Sequence, residues 1–195
     1  METKMLDIRF HGRGGQGTVL AAKMLSDAIL RGGKGECMAI PEFGVERRGA
    51  PVRAYARISS TKVRVRSKIY DPDIVVLLDP ALATSENITE GLKPTGTLLI
   101  NTDHKREELA KRWPGVRILC IPARAIALAH GLGPAASPVV NTAILGAMCA
   151  AFELASLQDV TGAVRDSVPW QVEENIAAAV DAYEMMRKEM GHAKT

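Results

Sequence analysis

A single three-layer α/β/α domain, with a mostly parallel Rossmann-like sheet and an antiparallel hairpin excursion, is the fold this sequence predicts. Three observations carry that expectation. Apolar strand-like runs alternate with helical patterns along the 195 residues. One run, Asp73-Ile74-Val75-Val76-Leu77-Leu78-Asp79, is continuously apolar between acids, as a strand buried on both faces must be. Finally, Gly12-Arg13-Gly14-Gly15-Gln16-Gly17 stands between a strand pattern and a helix pattern, where α/β proteins place a ligand-binding turn.

Taken in order, residues 5–10 make a short apolar strand and 18–30 a helix. Residues 36–40 form a second strand that Pro41 ends. Residues 51–59 alternate with period two, placing Val52, Ala54, Ala56 and Ile58 on one face and the arginines with Tyr55 on the other. Val63-Arg64-Val65-Arg66 repeats the alternation after a turn at Ser60-Thr61-Lys62, which predicts a hairpin. Half-polar strands of this kind suit antiparallel pairing. Pro80 fits a helix start. Residues 96–100 and 116–121 are further buried strands, separated by a charged, helix-favouring stretch at 103–112. An Ala-rich helix at 123–132 leads through a loop at 133–138 to a nearly all-apolar helix at 139–152. Helices at 157–166 and 171–190 finish the chain, the last with an apolar stripe of Ile176, Ala179, Val180, Tyr183, Met186 and Met190. No repeat or linker interrupts the pattern, so residues 1–195 are expected to form one domain with its core at about 5–185.

Composition excludes several function classes. With 47% hydrophobic and 24% charged residues, the chain has a globular balance. No apolar run reaches the length of a membrane span, and the N-terminus lacks a signal-peptide layout, so a cytoplasmic protein is expected. The net charge of +3 is too mild and too spread for a nucleic-acid binder. A local run of cations does stand at Arg47, Arg48, Arg53, Arg57, Lys62, Arg64, Arg66 and Lys68. Its simplest reading is a solvated strand face, with an anion site or partner surface as the other. The three cysteines, Cys37, Cys120 and Cys149, are far apart and sit in apolar segments, which predicts buried thiols. They make no ligand set for an iron–sulfur cluster or a structural zinc.

The glycines of the first loop let the backbone turn sharply and bring its N–H groups close to a ligand, and the following helix start favours an anion. Arg13 adds a cation. A stand-alone NAD- or flavin-binding oxidoreductase would need an acid closing the second strand. Glu36 opens that strand, and Glu42 lies past its end in Pro41-Glu42-Phe43-Gly44. The second loop, Pro41-Glu42-Phe43-Gly44-Val45-Glu46-Arg47-Arg48-Gly49-Ala50-Pro51, holds Glu42, Glu46, Arg47 and Arg48 between two prolines. Either its charges pair internally, or Arg47 or Arg48 offers a planar fork to a carboxylate or phosphate. Both loops should follow strand C-terminal ends, the usual ligand edge. Asn141 either satisfies the start of the buried helix or joins the site. His104, His130 and His192 have no base or metal partner at useful spacing, and no nucleophile motif is present, so no catalytic residue and no metal ligand is assigned.

Together, the 12–17 loop, the 41–52 loop and Asn141-Thr142-Ala143-Ile144-Leu145-Gly146 resemble the gamma-subunit family of the pyruvate/2-oxoacid:ferredoxin oxidoreductases, of the pyruvate or branched-chain type. The resemblance covers roughly residues 5–185. It implies a multi-subunit enzyme that decarboxylates a 2-oxoacid on thiamine diphosphate, transfers the acyl group to coenzyme A and passes electrons through iron–sulfur clusters to ferredoxin. It also implies that alpha-, beta- and delta-type subunits carry the thiamine diphosphate and clusters. This chain would then bind no cofactor alone. Residues Gly12, Arg13, Gly14, Gly15, Gln16, Gly17, Glu42, Glu46, Arg47, Arg48 and Asn141 would line an anion site or an interface, and a ligand-free interaction subunit remains the other outcome.

Overall fold

The computed structural model describes residues 5–42 and 49–192. Six strands form one mixed sheet in the order β2-β3-β1-β4-β5-β6. They are β1 (Leu6–Arg13), β2 (Glu36–Pro41), β3 (Pro51–Ser59), β4 (Ile74–Leu77), β5 (Thr97–Asn101) and β6 (Arg117–Ile121). The helices are α1 (Thr18–Arg31), α2 (Arg106–Ala110), α3 (Ala123–Ala129), α4 (Asn141–Ala151), α5 (Leu157–Ser167) and α6 (Val172–His192). Pro80 opens a 3-10 helix, Pro80–Thr84, whose start is capped by the Asp79 carboxylate accepting from the Ala81 N–H. The stretch expected to be helical at 103–112 keeps only the five residues of α2, none of them fully buried, and it rests on the sheet through part-buried Leu109, too little packing to extend it.

One expectation fails. Residues 63–66 join no ladder, and β3 makes no hairpin with them. Instead β3 inserts between β1 and β2, antiparallel to both, with Leu6 opposite Ile58 and Cys37 also opposite Ile58 on the other side. The physical reason is burial. A central position lets Ala54 and Ala56 reach the main core, where pairing with the 63–66 segment, exposed beyond Val63, would leave them at an edge. β1, β4, β5 and β6 pair in parallel, as expected for the continuous apolar runs.

The main core lies on the α1 face, where Ile8, Phe10, Leu99 and Leu119 of the sheet meet α1, α4, α5 and α6. α4 is buried on nearly every side, and Gly146 explains how: a Cβ there would lie 2.1 Å from the Ala179 carbonyl of α6. A smaller core of Val75, Leu77, Leu98, Ile100 and Ile118 covers the other face under the 3-10 helix and α2. Helices thus flank the sheet on both sides. No helix among the described residues is long and apolar enough to cross a membrane.

Candidate functional site

Parallel strands β1, β4, β5 and β6 end at the same edge as β2, so the turns after them meet there. β1 runs out at Arg13, and Gly17 opens α1 in the left-handed conformation with φ 76°. Two contacts at that turn exclude a side chain. A Cβ on Gly12 would meet Thr18 Oγ1, and one on Gly17 would lie 2.4 Å from Asn141 Nδ2. Asn141 is therefore brought to the loop by α4, buried beneath it, with its Oδ1 accepting from the Thr142 N–H at 3.0 Å.

The loop is tied down from three directions. The Arg13 N–H donates to Gln16 Oε1 at 2.8 Å, and Gln16 Nε2 donates to Asp79 Oδ2 at 3.2 Å. Arg13 Nε reaches the same Asp79 oxygen at 2.9 Å, and its Nη1 donates to the Gly49 carbonyl at 3.0 Å. The backbone closes the ring, with Gly14 N–H donating to Ala50 O and Gly49 N–H to Gly14 O. The two loops thus touch where Gly49 and Ala50 are described, while Glu46, Arg47 and Arg48 lie outside the described residues. In the sequence Asp79 shows only as the boundary of a buried strand. The available signal was an acid closing a fully buried parallel strand, on the ligand edge.

What this cradle leaves open is a helix start. α1 has no side-chain cap, and its first intrahelical bond is Ala21 N–H to Gly17 O, so the N–H groups of Thr18, Val19 and Leu20 have no partner within the helix. Beside them Thr18 Oγ1 is buried without a hydrogen bond. An open cleft of about 400 Å³ lies there, lined by Arg13, Gly14, Gly15, Gly17, Thr18 and Lys23 among others. Donors, a helix dipole and two cations make it suited to an anion.

Behind β1 and β3 lies a second ionic cluster. His11 is 2% exposed and accepts from Arg9 Nε at 3.0 Å through Nε2, while its Nδ1 faces Glu86 Oε2 at 3.4 Å. Burial, with Arg9 and Arg53 nearby, holds its pKa down to about 4, so the ring is neutral. Arg9 donates to the Ile88 and Glu90 carbonyls, Arg53 pairs with Glu86 at 2.9 Å and Arg57 with Asp7 at 2.8 Å. The solvated-face reading is thereby corrected for Arg57, which is 6% exposed and paired with Asp7, while Arg53 keeps 41% of its side chain exposed although it pairs with Glu86. Glu42 likewise accepts from Tyr55 Oη at 2.6 Å and pairs with Lys68. Burial pushes the Glu42 carboxyl up, but those two partners outweigh it and hold it below its ordinary value. Since β3 separates β2 from β1, the end of β2 is not beside the glycine loop as a nicotinamide fingerprint requires, and Glu42 is engaged elsewhere.

The thiols offer no redox set. Burial pushes Cys37 up to about 12 and Cys120 up to about 11, and raises Cys149 further still. Among the described residues, no group of three or more His, Cys, Asp or Glu side chains is placed to hold a metal. Three thiols on separate elements do not fit a [4Fe–4S] cluster, which needs four ligands.

A family model described as pyruvate ferredoxin/flavodoxin oxidoreductase matches residues 7–185. The chain is 44% identical over 184 residues to the "Pyruvate/ketoisovalerate oxidoreductases common subunit gamma" of Pyrococcus abyssi, covering 92% of this chain and 96% of that one. It is 44% identical over 188 residues to the "Pyruvate synthase subunit PorC" of Methanocaldococcus jannaschii, covering 96% and 100%. The crystal structure of pyruvate oxidoreductase subunit PORC from Thermotoga maritima superposes with a TM-score of 0.76 at 32% identity, over 93% of this chain and 96% of that one.

Proposed function

This chain belongs to the pyruvate ferredoxin/flavodoxin oxidoreductase family, and we propose that it is the single-domain gamma subunit of a cytoplasmic 2-oxoacid:ferredoxin oxidoreductase, with pyruvate as the oxoacid. In this reading, alpha-, beta- and delta-type partners carry thiamine diphosphate and the iron–sulfur clusters, and ferredoxin takes the electrons through them. Thiamine diphosphate supplies the decarboxylation chemistry, and coenzyme A accepts the acyl group.

This chain's own part is to bind and orient. The observation that carries it is the unpartnered start of α1 beside the buried Thr18 hydroxyl, with Lys23 on the same cleft. Such a cradle suits the diphosphate of coenzyme A. Arg13 is held by Asp79 and Gly49, so its role is to fix the loop as well as to add charge. Gly12, Gly14, Gly15, Gly17, Gln16 and Asn141 shape the cradle, and Arg47 and Arg48, with Glu42 and Glu46 in the same loop, serve the neighbouring contact with ligand or partner subunit. None of the described residues is assigned a proton transfer at the reacting carbon.

The test is purification of the native complex with a viologen-reduction assay that depends on both 2-oxoacid and coenzyme A. Lys23→Ala should raise KM for coenzyme A by up to about fivefold with kcat unchanged, since one exposed charge contact contributes up to about 1 kcal/mol. A complex lacking a chain of this sequence would overturn the assignment. An unchanged KM would move the cradle from ligand binding to assembly alone.

A further inference from the structure

Residues 62–66 carry a strand's alternation without a strand's partners. They run without turn or bend, and among the described residues no backbone–backbone hydrogen bond is made anywhere in 61–71. The segment is a strap across the polar face of β1 and β3. Val63 and Ile69 anchor it by burial, Arg57 Nη1 donates to the Val65 carbonyl at 3.0 Å, and Arg9 Nη1 donates to the Tyr70 carbonyl at 3.4 Å. Its outer side is different. Lys62, Arg64 and Arg66 are exposed and enter no ion pair among the described residues, whereas Arg53, Arg57 and Lys68 nearby all do. Val65 is 50% and Tyr70 73% exposed. Successive peptide groups in an extended chain point to opposite sides. With the Val65 carbonyl taken by Arg57, the backbone groups of Arg64 and Arg66 face away from that contact.

We propose that residues 62–66 dock an extended acidic segment of another subunit of the complex, added alongside as a strand. Main-chain pairing with Arg64 and Arg66 supplies the ladder, their side chains with Lys62 select carboxylates at alternate positions, and Val65 and Tyr70 give apolar contact. A second copy of this chain does not fit, because self-pairing would set rows of arginine and lysine against each other. The inference rests on the reading that the chain works inside a multi-subunit enzyme.

Hydrogen exchange at single-amide resolution, on the free chain and on the reconstituted complex, tests it. The Arg64 and Arg66 amides should exchange fast in the free chain and slow by about a hundredfold in the complex. Reversal at both positions (R64E with R66E) should weaken binding to the remaining subunits by about tenfold and flatten its salt dependence. The pair R64K and R66K should bind nearly as wild type, and reversal of the exposed cations Arg106 and Lys111 should change nothing. Unchanged exchange at 62–66 in an assembled complex overturns the docking strand while leaving the functional reading intact. Self-association of the free chain through this segment, relieved by R64E with R66E, overturns the choice of partner. Failure of the wild-type chain to assemble at all overturns both.

Discussion

The two halves of the sheet solve burial in opposite ways. β4 and β5 are apolar on both faces, and every residue of either strand is buried. β1 and β3 put Ile8, Phe10, Ala54 and Ala56 toward the helices but Arg9, His11, Tyr55 and Arg57 toward the other face, and bury those as well. The parallel half is thus held mainly by hydrophobic area, with buried Asn101 as a polar exception that donates to the Leu78 carbonyl at 2.8 Å and accepts from the Arg124 N–H at 2.9 Å. The antiparallel half is held by ion pairs and carbonyl contacts that must all be made at once. That ionic layer also receives the 62–66 strap and backs the strand that ends in the glycine loop, so the half that is costlier to build is the half that carries the candidate site.

The contrast can be broken most severely in the parallel half. Leu99→Ala removes a fully buried side chain from β5 and should cost about 3–5 kcal/mol by urea titration, at any pH from 5 to 8. In the ionic half, Asp7→Ala strands the buried Arg57 guanidinium and should cost about 3 kcal/mol. The sharper version is the double variant Asp7→Leu with Arg57→Met, which should recover most of that loss. If the double variant is as unstable as the single one, the pair is not the cause.

Acid should then separate the halves. The folded pKa of His11 is about 4 against 6.5 for an exposed ring, so the unfolded chain takes up a proton first. Stability from this group is complete above pH 6.5 and drains away as pH falls from there toward 4, by about 3 kcal/mol in all. Glu86, whose carboxyl stays below its ordinary value because Arg53 and His11 outweigh the effect of its burial, loses its contribution in the same direction. His11→Asn should flatten the pH dependence of the unfolding free energy over that window. An equal slope in wild type and variant would place the acid sensitivity elsewhere.

How much of this was legible follows from the physics of each signal. β4 and β5 could be read directly, because two-sided burial writes an unbroken apolar run. α4 and the tail helices were equally plain, within a residue or two at each end. The place of β3 was not, because alternation fixes which residues share a face but says nothing about which distant strand lies alongside. The use of the arginines is hidden for the same reason: whether a guanidinium is paired depends on Asp7 and Glu86, fifty and thirty-three positions away from Arg57 and Arg53. In the candidate site, the glycine loop was visible from its spacing. Asp79, the Thr18 hydroxyl and the role of Asn141 under Gly17 were not, since each matters only through a neighbour from another element.

The sequence by itself determined the α/β class, the strand–glycine loop–helix unit and the family, because local periodicity and a spaced set of motifs survive without coordinates. Tertiary structure alone decided the sheet order, the internal use of Arg53, Arg57 and Glu42, and the exposure left to Lys62, Arg64 and Arg66. Charges a few residues apart in the chain end up either spent in an internal pair or free at the surface, and only the distant partner that arrives on folding separates the two.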